Sequence, residues 1–227
     1  MSLIKACEVN KTYKGGDEVV EALKNVSLEI SEGEFLALMG PSGSGKSTLL
    51  SILGGLNPPT SGKLIIDDID VYALAPERLA DFRHDYVGFV FQQYQLIPYL
   101  TALENVMLPL AITSRRGKEQ RAMAQTVLER VGLGTKSLRL PSQLSGGEQN
   151  RVAIARAIVN EPAIIFADEP TGSLNSKTAR ELLEVFQTLN QSGLTIIMVT
   201  HNRENLEWVS RTAYIRDGVL VPMPEEV

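Results

Sequence analysis

The chain has 227 residues, 44% of them hydrophobic and 22% charged, with a formal net charge of −5 and both signs interspersed. That length accommodates one large α/β domain with an ample core, and the acidic balance excludes nonspecific nucleic-acid binding, which needs concentrated positive charge. A lone cysteine, Cys7, excludes an internal disulfide and reads as a small buried or half-buried side chain; no stretch approaches the roughly 18–20 apolar residues that span a bilayer, so the expectation is a cytosolic chain, with any membrane part supplied by another polypeptide.

In chain order, LIKACEVNKTY, ALKNVSLEI and EFLALM read as strands, the second by its period-2 alternation and the third as a short apolar run ending at glycine. Gly15, Gly16 and Asp17 mark a hairpin-like turn between the first two. After GPSGSGK comes STLLSILGGL, a helix pattern closed by Gly54 and Gly55 and then by the loop NPPTSG. KLIID and YVGFVF are two further strands. From Thr101 the apolar spacing turns helical, in TALENVMLPLAI, with Thr101 and Glu104 as a capping box, and in KEQRAMAQTVLERVGL. This predicts a helical subdomain, about residues 95–160, inserted within a single domain spanning 1–227. Arg115, Arg116 and Lys118 read as a solvated loop and helix start. Strand and helix then alternate through AIIFADEP, SKTARELLEVFQTLNQSG and LTIIMVTH, and RTAYIRDGVLV reads as a hairpin turning at Asp217-Gly218.

Two stretches place glycines at a helix start, where free backbone N–H groups and the helix dipole favour an anion. The first, GPSGSGKST, comprises Gly40, Pro41, Ser42, Gly43, Ser44, Gly45, Lys46, Ser47 and Thr48 and fits G-x-x-x-x-G-K-[ST] between an apolar strand and a helix. The amides of Gly43 to Lys46 would curl around the β- and γ-phosphates, Lys46 would add a point charge, and Ser47 would ligate Mg²⁺. The second, LSGGEQNR, begins at Leu144. Asp168 and Glu169 end the strand AIIFADEP at the edge where open α/β sheets bind ligands. Beside a phosphate loop, Asp168 would hold Mg²⁺ through its water shell and Glu169 would deprotonate the attacking water; the bland alternative is a solvated pair after a core strand. His201 follows another strand at the same edge, as a γ-phosphate or water contact or as a structural histidine, whereas His84 has no such context and reads as structural or exposed.

With GPSGSGKST, LSGGEQNR, ADEP and a strand-end histidine in this order, the chain resembles the ATP-binding cassette ATPases over essentially its whole length. The resemblance implies an α/β fold in which a P-loop NTPase core, a mixed sheet flanked by helices, carries an N-terminal antiparallel β subdomain and the helical signature subdomain. It implies that Tyr13 stacks on adenine, the alternative being local packing in its strand. It also implies that Gln92, in preference to Gln93, reaches Mg²⁺ and the attacking water, that Glu169 is the catalytic carboxylate and that His201 is the switch histidine. Leu144, Ser145, Gly146, Gly147, Glu148 and Gln149 match the signature, which in this family serves the ATP of a second copy, so that two chains close head to tail on two nucleotides. A membrane subunit would dock between Gln92 and about Leu110, holding the cassette on the cytoplasmic face of the membrane. The details are most similar to ATPase subunits of the lipoprotein-releasing and macrolide-exporting group. Soluble cassette ATPases of DNA repair or translation are the rival class, but they carry two cassettes or a long coiled-coil insertion; a P-loop kinase would need no signature. Two positions depart from the family pattern: Asn175 stands where aspartate is usual, and Glu148 replaces the commoner glutamine at a position expected to face outward.

Overall fold

The structure, a computed structural model, describes residues 2–16 and 18–224. The elements run β1 (Ser2–Gly15), β2 (Glu18–Ser31), β3 (Phe35–Met39), α1 (Lys46–Leu53), β4 (Ser61–Ile66), β5 (Ile69–Asp70), α2 (Pro76–Tyr86), β6 (Val87–Val90), α3 (Ala102–Met107), α4 (Gly117–Arg130), α5 (Gly146–Ile158), β7 (Ile164–Asp168), α6 (Ser176–Gln191), β8 (Thr195–Val199), β9 (Arg211–Arg216) and β10 (Val219–Val221). They form two sheets. One is antiparallel, in the order β2-β1-β4-β5, and the other is ordered β10-β9-β3-β8-β7-β6. In the second, β9, β3, β8, β7 and β6 are parallel and only β10 runs against its neighbour.

The apolar runs explain the second sheet. Every residue of β3 and β8 is buried, as is β7 up to Asp168, the continuous pattern of strands covered on both faces. Alternate residues divide between two cores: Ile165, Ala167, Ile196 and Met198 face the helices α3 to α6, while Ile164, Phe166, Ile197 and Val199 face α1 and the antiparallel sheet. Each such side chain contributes about 1.5–3 kcal/mol by leaving water. The parallel strands β3, β6, β7 and β8 therefore open their carboxyl ends onto one edge, held rigidly from both sides.

Several local expectations change. β1 and β2 pair from Ser2↔Ser31 to Gly15↔Glu18, which puts their connection at residues 16 and 17; Gly16 is left-handed there (φ 60°), and Asp17 lies outside the described residues. Cys7 is exposed, not buried, because β1 alternates regularly up to it, with Ile4 and Ala6 on the core face and Cys7 therefore on the other. The helix α2 was not signalled by apolar periodicity, since of its eleven residues only Phe82 is buried. In TALENVMLPLAI the α-helix stops at Met107 and continues as a 3-10 turn over 108–112, since Pro109 lacks the N–H that the α-ladder needs. Thr101 and Glu104 do form the capping box, with both bonds made. Arg115 is exposed and pairs at 3.7 Å with Glu119 one helical turn on. Among the described residues no helix is long and apolar enough to cross a membrane.

Candidate functional site

The glycine loop after β3 is shaped by what surrounds it. Gly40, Gly43 and Gly45 have φ of 148°, 76° and 105°, conformations only glycine takes without strain. A Cβ on Gly40 would overlap the carbonyl oxygen of Ile215 in β9, and one on Gly45 would press on the carbonyl of Ala22 in β2. The loop is also pinned by Gly218, whose N–H donates to Ser44 O at 3.1 Å. Lys46 is buried, and its ammonium donates to the carbonyls of Gly40 (3.0 Å) and Pro41 (2.8 Å). Gly45 caps α1 without any side-chain bond, so the first-turn N–H groups of this helix keep their capacity for an anion. Ser44 Oγ is buried without a partner, a polar atom left over in a cradle built for polar contacts. Pro41, Ser42, Gly43 and Ser47 are exposed on the loop and Thr48 is half-buried. Over the loop opens a cavity bordered by Val20, Lys24, Gly43, Lys46, Thr48 and Asp217. Tyr13 pairs across the hairpin with Val20; its hydroxyl accepts from Asn57 Nδ2 at 2.7 Å and Lys11 sits 5.2 Å from its ring centroid, so local packing and an exposed aromatic face coexist.

The acidic groups arrive on the neighbouring strand ends. Ser47 Oγ donates to Asp168 Oδ1 at 3.2 Å, bringing together two oxygens of the kind Mg²⁺ prefers. Burial pushes the Asp168 carboxyl above its ordinary range, against the smaller effect of the Ser47 bond; Glu169 adds a further upward push and Lys46 a downward one. Glu169 takes a left-handed backbone (φ 49°) and its N–H donates to Val199 O at 3.0 Å. Strain of this kind is held by the surrounding structure and clusters at functional positions. His201 Nδ1 lies 2.7 Å from Glu169 Oε2; an ionised carboxylate only accepts, so Nδ1 carries the hydrogen. Gln92, exposed after β6, comes to the same place: the space beside Gly172 is bounded by Gln92 Nε2 and the Glu169 carboxylate. Gln93 is exposed and makes no side-chain hydrogen bond among the described residues.

The second glycine turn is built differently. Ser145 is the N-cap of α5: its Oγ accepts from Glu148 N at 3.3 Å and its own N–H donates to Glu148 Oε2 at 3.0 Å, a complete capping box. Glu148 therefore does not face outward; its side chain is only 15% exposed and pairs with Lys136, whose ammonium, with the Ser145 N–H, holds the carboxyl below its usual range. Leu144 is buried in the core and its carbonyl accepts from Gln149 Nε2 at 3.1 Å. Gly147 is buried where a Cβ would overlap the methyl of Thr178 on α6. Asn175 caps α6, accepting from Thr178 N at 3.0 Å, which asparagine does as well as aspartate.

Residues that motif reading did not single out tie these loops together. Asn150 donates from Nδ2 to Pro170 O, linking α5 to the turn after Glu169. Asn205, buried, donates to Thr171 Oγ1 (2.9 Å) and Thr200 Oγ1 (2.8 Å), linking that turn to the loop of His201. Asn150 lies within the stretch LSGGEQNR and Asn205 follows His201 by one turn, but neither asparagine carries a pattern that names its partner. His84 is half-buried and structural, with Nδ1 2.7 Å from Asp85 Oδ1 and Nε2 2.9 Å from Asn160 Nδ2. A groove beside the Gln92 segment is bordered by Arg83, Phe89, Phe91, Gln95, Pro109 and Arg156.

A glycine loop at the end of a parallel strand, a lysine folded into it and paired acids on the adjoining strand define an α/β protein that handles nucleoside triphosphates. The sequence model of the ABC transporter family matches residues 23–172, and the chain belongs to that family as an ATP-binding, ATP-hydrolysing transporter subunit. It is 50% identical over 216 residues to an ABC transporter ATP-binding protein of Thermotoga maritima, covering 95% of this chain and 92% of the other. It is 48% identical over 228 residues to the macrolide export ATP-binding/permease protein MacB of Syntrophobacter fumaroxidans, covering 98% of this chain but 32% of that one. The dimeric structure of MJ0796, a bacterial ABC transporter cassette by its description, matches with a TM-score of 0.89 at 48% identity, over 96% of this chain and 97% of that one. A post-hydrolysis dimer of the same cassette bound to ADP and phosphate matches with a TM-score of 0.88 at 47% identity, over 96% and 97%.

Proposed function

We propose that the chain binds Mg²⁺-ATP on the loop Gly40 to Thr48, with Tyr13 against the adenine, and that two copies close head to tail so that Ser145, Gly146 and Gly147 of each meet the γ-phosphate held by the other. Carrying this reading is the pairing of Glu169 with His201 at 2.7 Å at the strand edge beside Lys46. The loop amides and the Lys46 ammonium orient the phosphates. Glu169, its carboxylate fixed by the His201 N–H, accepts the proton of the attacking water, and Gln92 bounds the space in which that water would stand. Ser47, Asp168 and Gln92 are the residues that would hold Mg²⁺, which when bound neutralises phosphate charge. The juxtaposed Ser47 and Asp168 oxygens fit such an ion.

The self-capped signature turn supports the division between copies. Its capping box occupies two of the donors at the start of α5 and leaves the N–H groups of Gly146 and Gly147 for a ligand. Charge-assisted hydrogen bonds are worth about 1.5–3 kcal/mol each, so a few at each of two sites drive closure, and loss of the γ-phosphate releases it. The helices between β6 and β7 act as the signature-bearing subdomain. On this reading the groove bordered by Phe89, Phe91, Pro109 and two arginines receives a short segment of a membrane subunit near Gln92 to Leu110, which places the cassette peripherally on the cytoplasmic face of the membrane. Glu169→Gln tests the reading: ATP binding is retained, turnover falls by about two to four powers of ten, and an ATP-dependent dimer accumulates on size exclusion. A variant that stays monomeric at saturating ATP overturns it.

A further inference from the structure

Tyr94 lies two residues beyond Gln92 and has none of the roles above. Its backbone and that of Gln95 are left-handed, with φ of 48° and 47°. The carbonyls of both accept from Arg156 of α5, at 2.8 and 2.6 Å, which fixes this turn to the signature helix. The guanidinium is partly buried, and that burial lowers its pKa; its hydrogen-bond partners are these two backbone oxygens. The Tyr94 ring packs against the core on the helical side. Its hydroxyl lies 3.0 Å from Ser173 Oγ, in the loop between Glu169 and α6. The same hydroxyl covers Gly146: a Cβ built there would stand 3.1 Å from it.

One phenol thus touches three segments with different duties: the turn bordering the groove, the loop that follows the catalytic carboxylate, and the first residue of the signature helix. We propose that Tyr94 is a positioning residue, its hydroxyl hydrogen-bonded to Ser173 and packed on Gly146, which sets the signature turn of one copy for the γ-phosphate of the other. This rests on the head-to-tail reading. Because the turn at 94–95 borders the groove, a displacement there is carried by the ring to Gly146 and Ser173 together. A shift on the order of 1 Å in a positioned group is enough to cost a large factor in function.

The test uses the full chain in the Glu169→Gln background, with ATP as the titrant and dimer fraction read by light scattering. Tyr94→Phe keeps the ring and removes only the hydroxyl. We expect the ATP concentration at half-maximal dimer to rise about 5- to 10-fold, while the affinity of the monomer for ATP stays within about 2-fold and Tm within about 2 °C, a split that a merely structural role would not produce. Ser173→Ala should reproduce the shift, and the double variant should be no worse than either single one, since both remove the same bond. If Glu169→Gln alone fails to dimerise, the head-to-tail reading falls and this inference with it. If Glu169→Gln dimerises and Tyr94→Phe leaves the midpoint unchanged, the inference alone is overturned. Shifts from Tyr94→Phe and Ser173→Ala that add independently overturn it too.

Discussion

The two glycine turns look alike in sequence and differ in construction. In Gly40 to Lys46 the glycines are there for their backbones: φ is positive at three of them, and strands β2 and β9 crowd two from behind with carbonyl oxygens. Its helix begins uncapped. In Ser145 to Gln149 no glycine has a positive φ; the turn is capped by its own serine and glutamate, and Gly147 is small because α6 packs on it. The first turn is moulded by backbone into an open cradle, whereas the second is a finished helix start that caps itself. A glycine-rich motif therefore means little until one asks whether its glycines serve φ, ligand approach or helix packing.

That contrast is broken most severely by Gly40→Ala. The new methyl meets the Ile215 carbonyl, a backbone atom that cannot step aside, and the backbone strain adds to it. A loss of about 3–5 kcal/mol is expected, read as a large drop in Tm with loss of ATP binding. Gly147→Ala should be gentler, about 1–3 kcal/mol, the usual scale for overpacking, because its obstacle is a side-chain methyl. Thr178→Ser removes that methyl and should rescue most of the loss in a double variant; no rescue would mean that Gly147 is required for its backbone after all. The smallest effect is expected at Glu148. Its folded pKa is lowered, so the stability it lends is present above the ordinary carboxylate range and disappears as the pH falls through that folded value. Glu148→Gln keeps an oxygen acceptor for the Ser145 N–H and loses the Lys136 pair. It should cost about 0.5 kcal/mol at pH 7, with the difference vanishing in acid when unfolding is followed against pH.

Much of the parallel sheet was legible because its signal is redundant. IIFA and TIIMV leave no polar face, and each ends in residues whose chemistry belongs at a strand's carboxyl edge. The helix α2 carried weaker marks that periodicity misses: Pro76 in the first turn, Glu77 beside it, and Arg83 and His84 in the last turn. Glu148 was misread for a physical reason. Its place as the third residue after Ser145 marks a capping box as clearly as Thr101 and Glu104 do, but Lys136, its other partner, arrives from a separate turn that no spacing reveals. Cys7 was misread because residue type was weighed ahead of strand period: Ile4 and Ala6 take the core face of β1, which leaves Cys7 on the other. Tyr94, Asn150 and Asn205 act through contacts between loops distant in sequence, where a single chain offers no period to detect.

The turn at Asp217 and Gly218 donates to Ser44 and accepts from Lys24 N at 2.8 Å, and Ile215 closes the back of Gly40. Residues that follow the loop by most of the domain thus give it its final shape. While the ribosome is still at work, the emerging polypeptide has its lysine and glycines but lacks the wall that moulds them. Competence to hold a triphosphate should come only when synthesis has passed this hairpin.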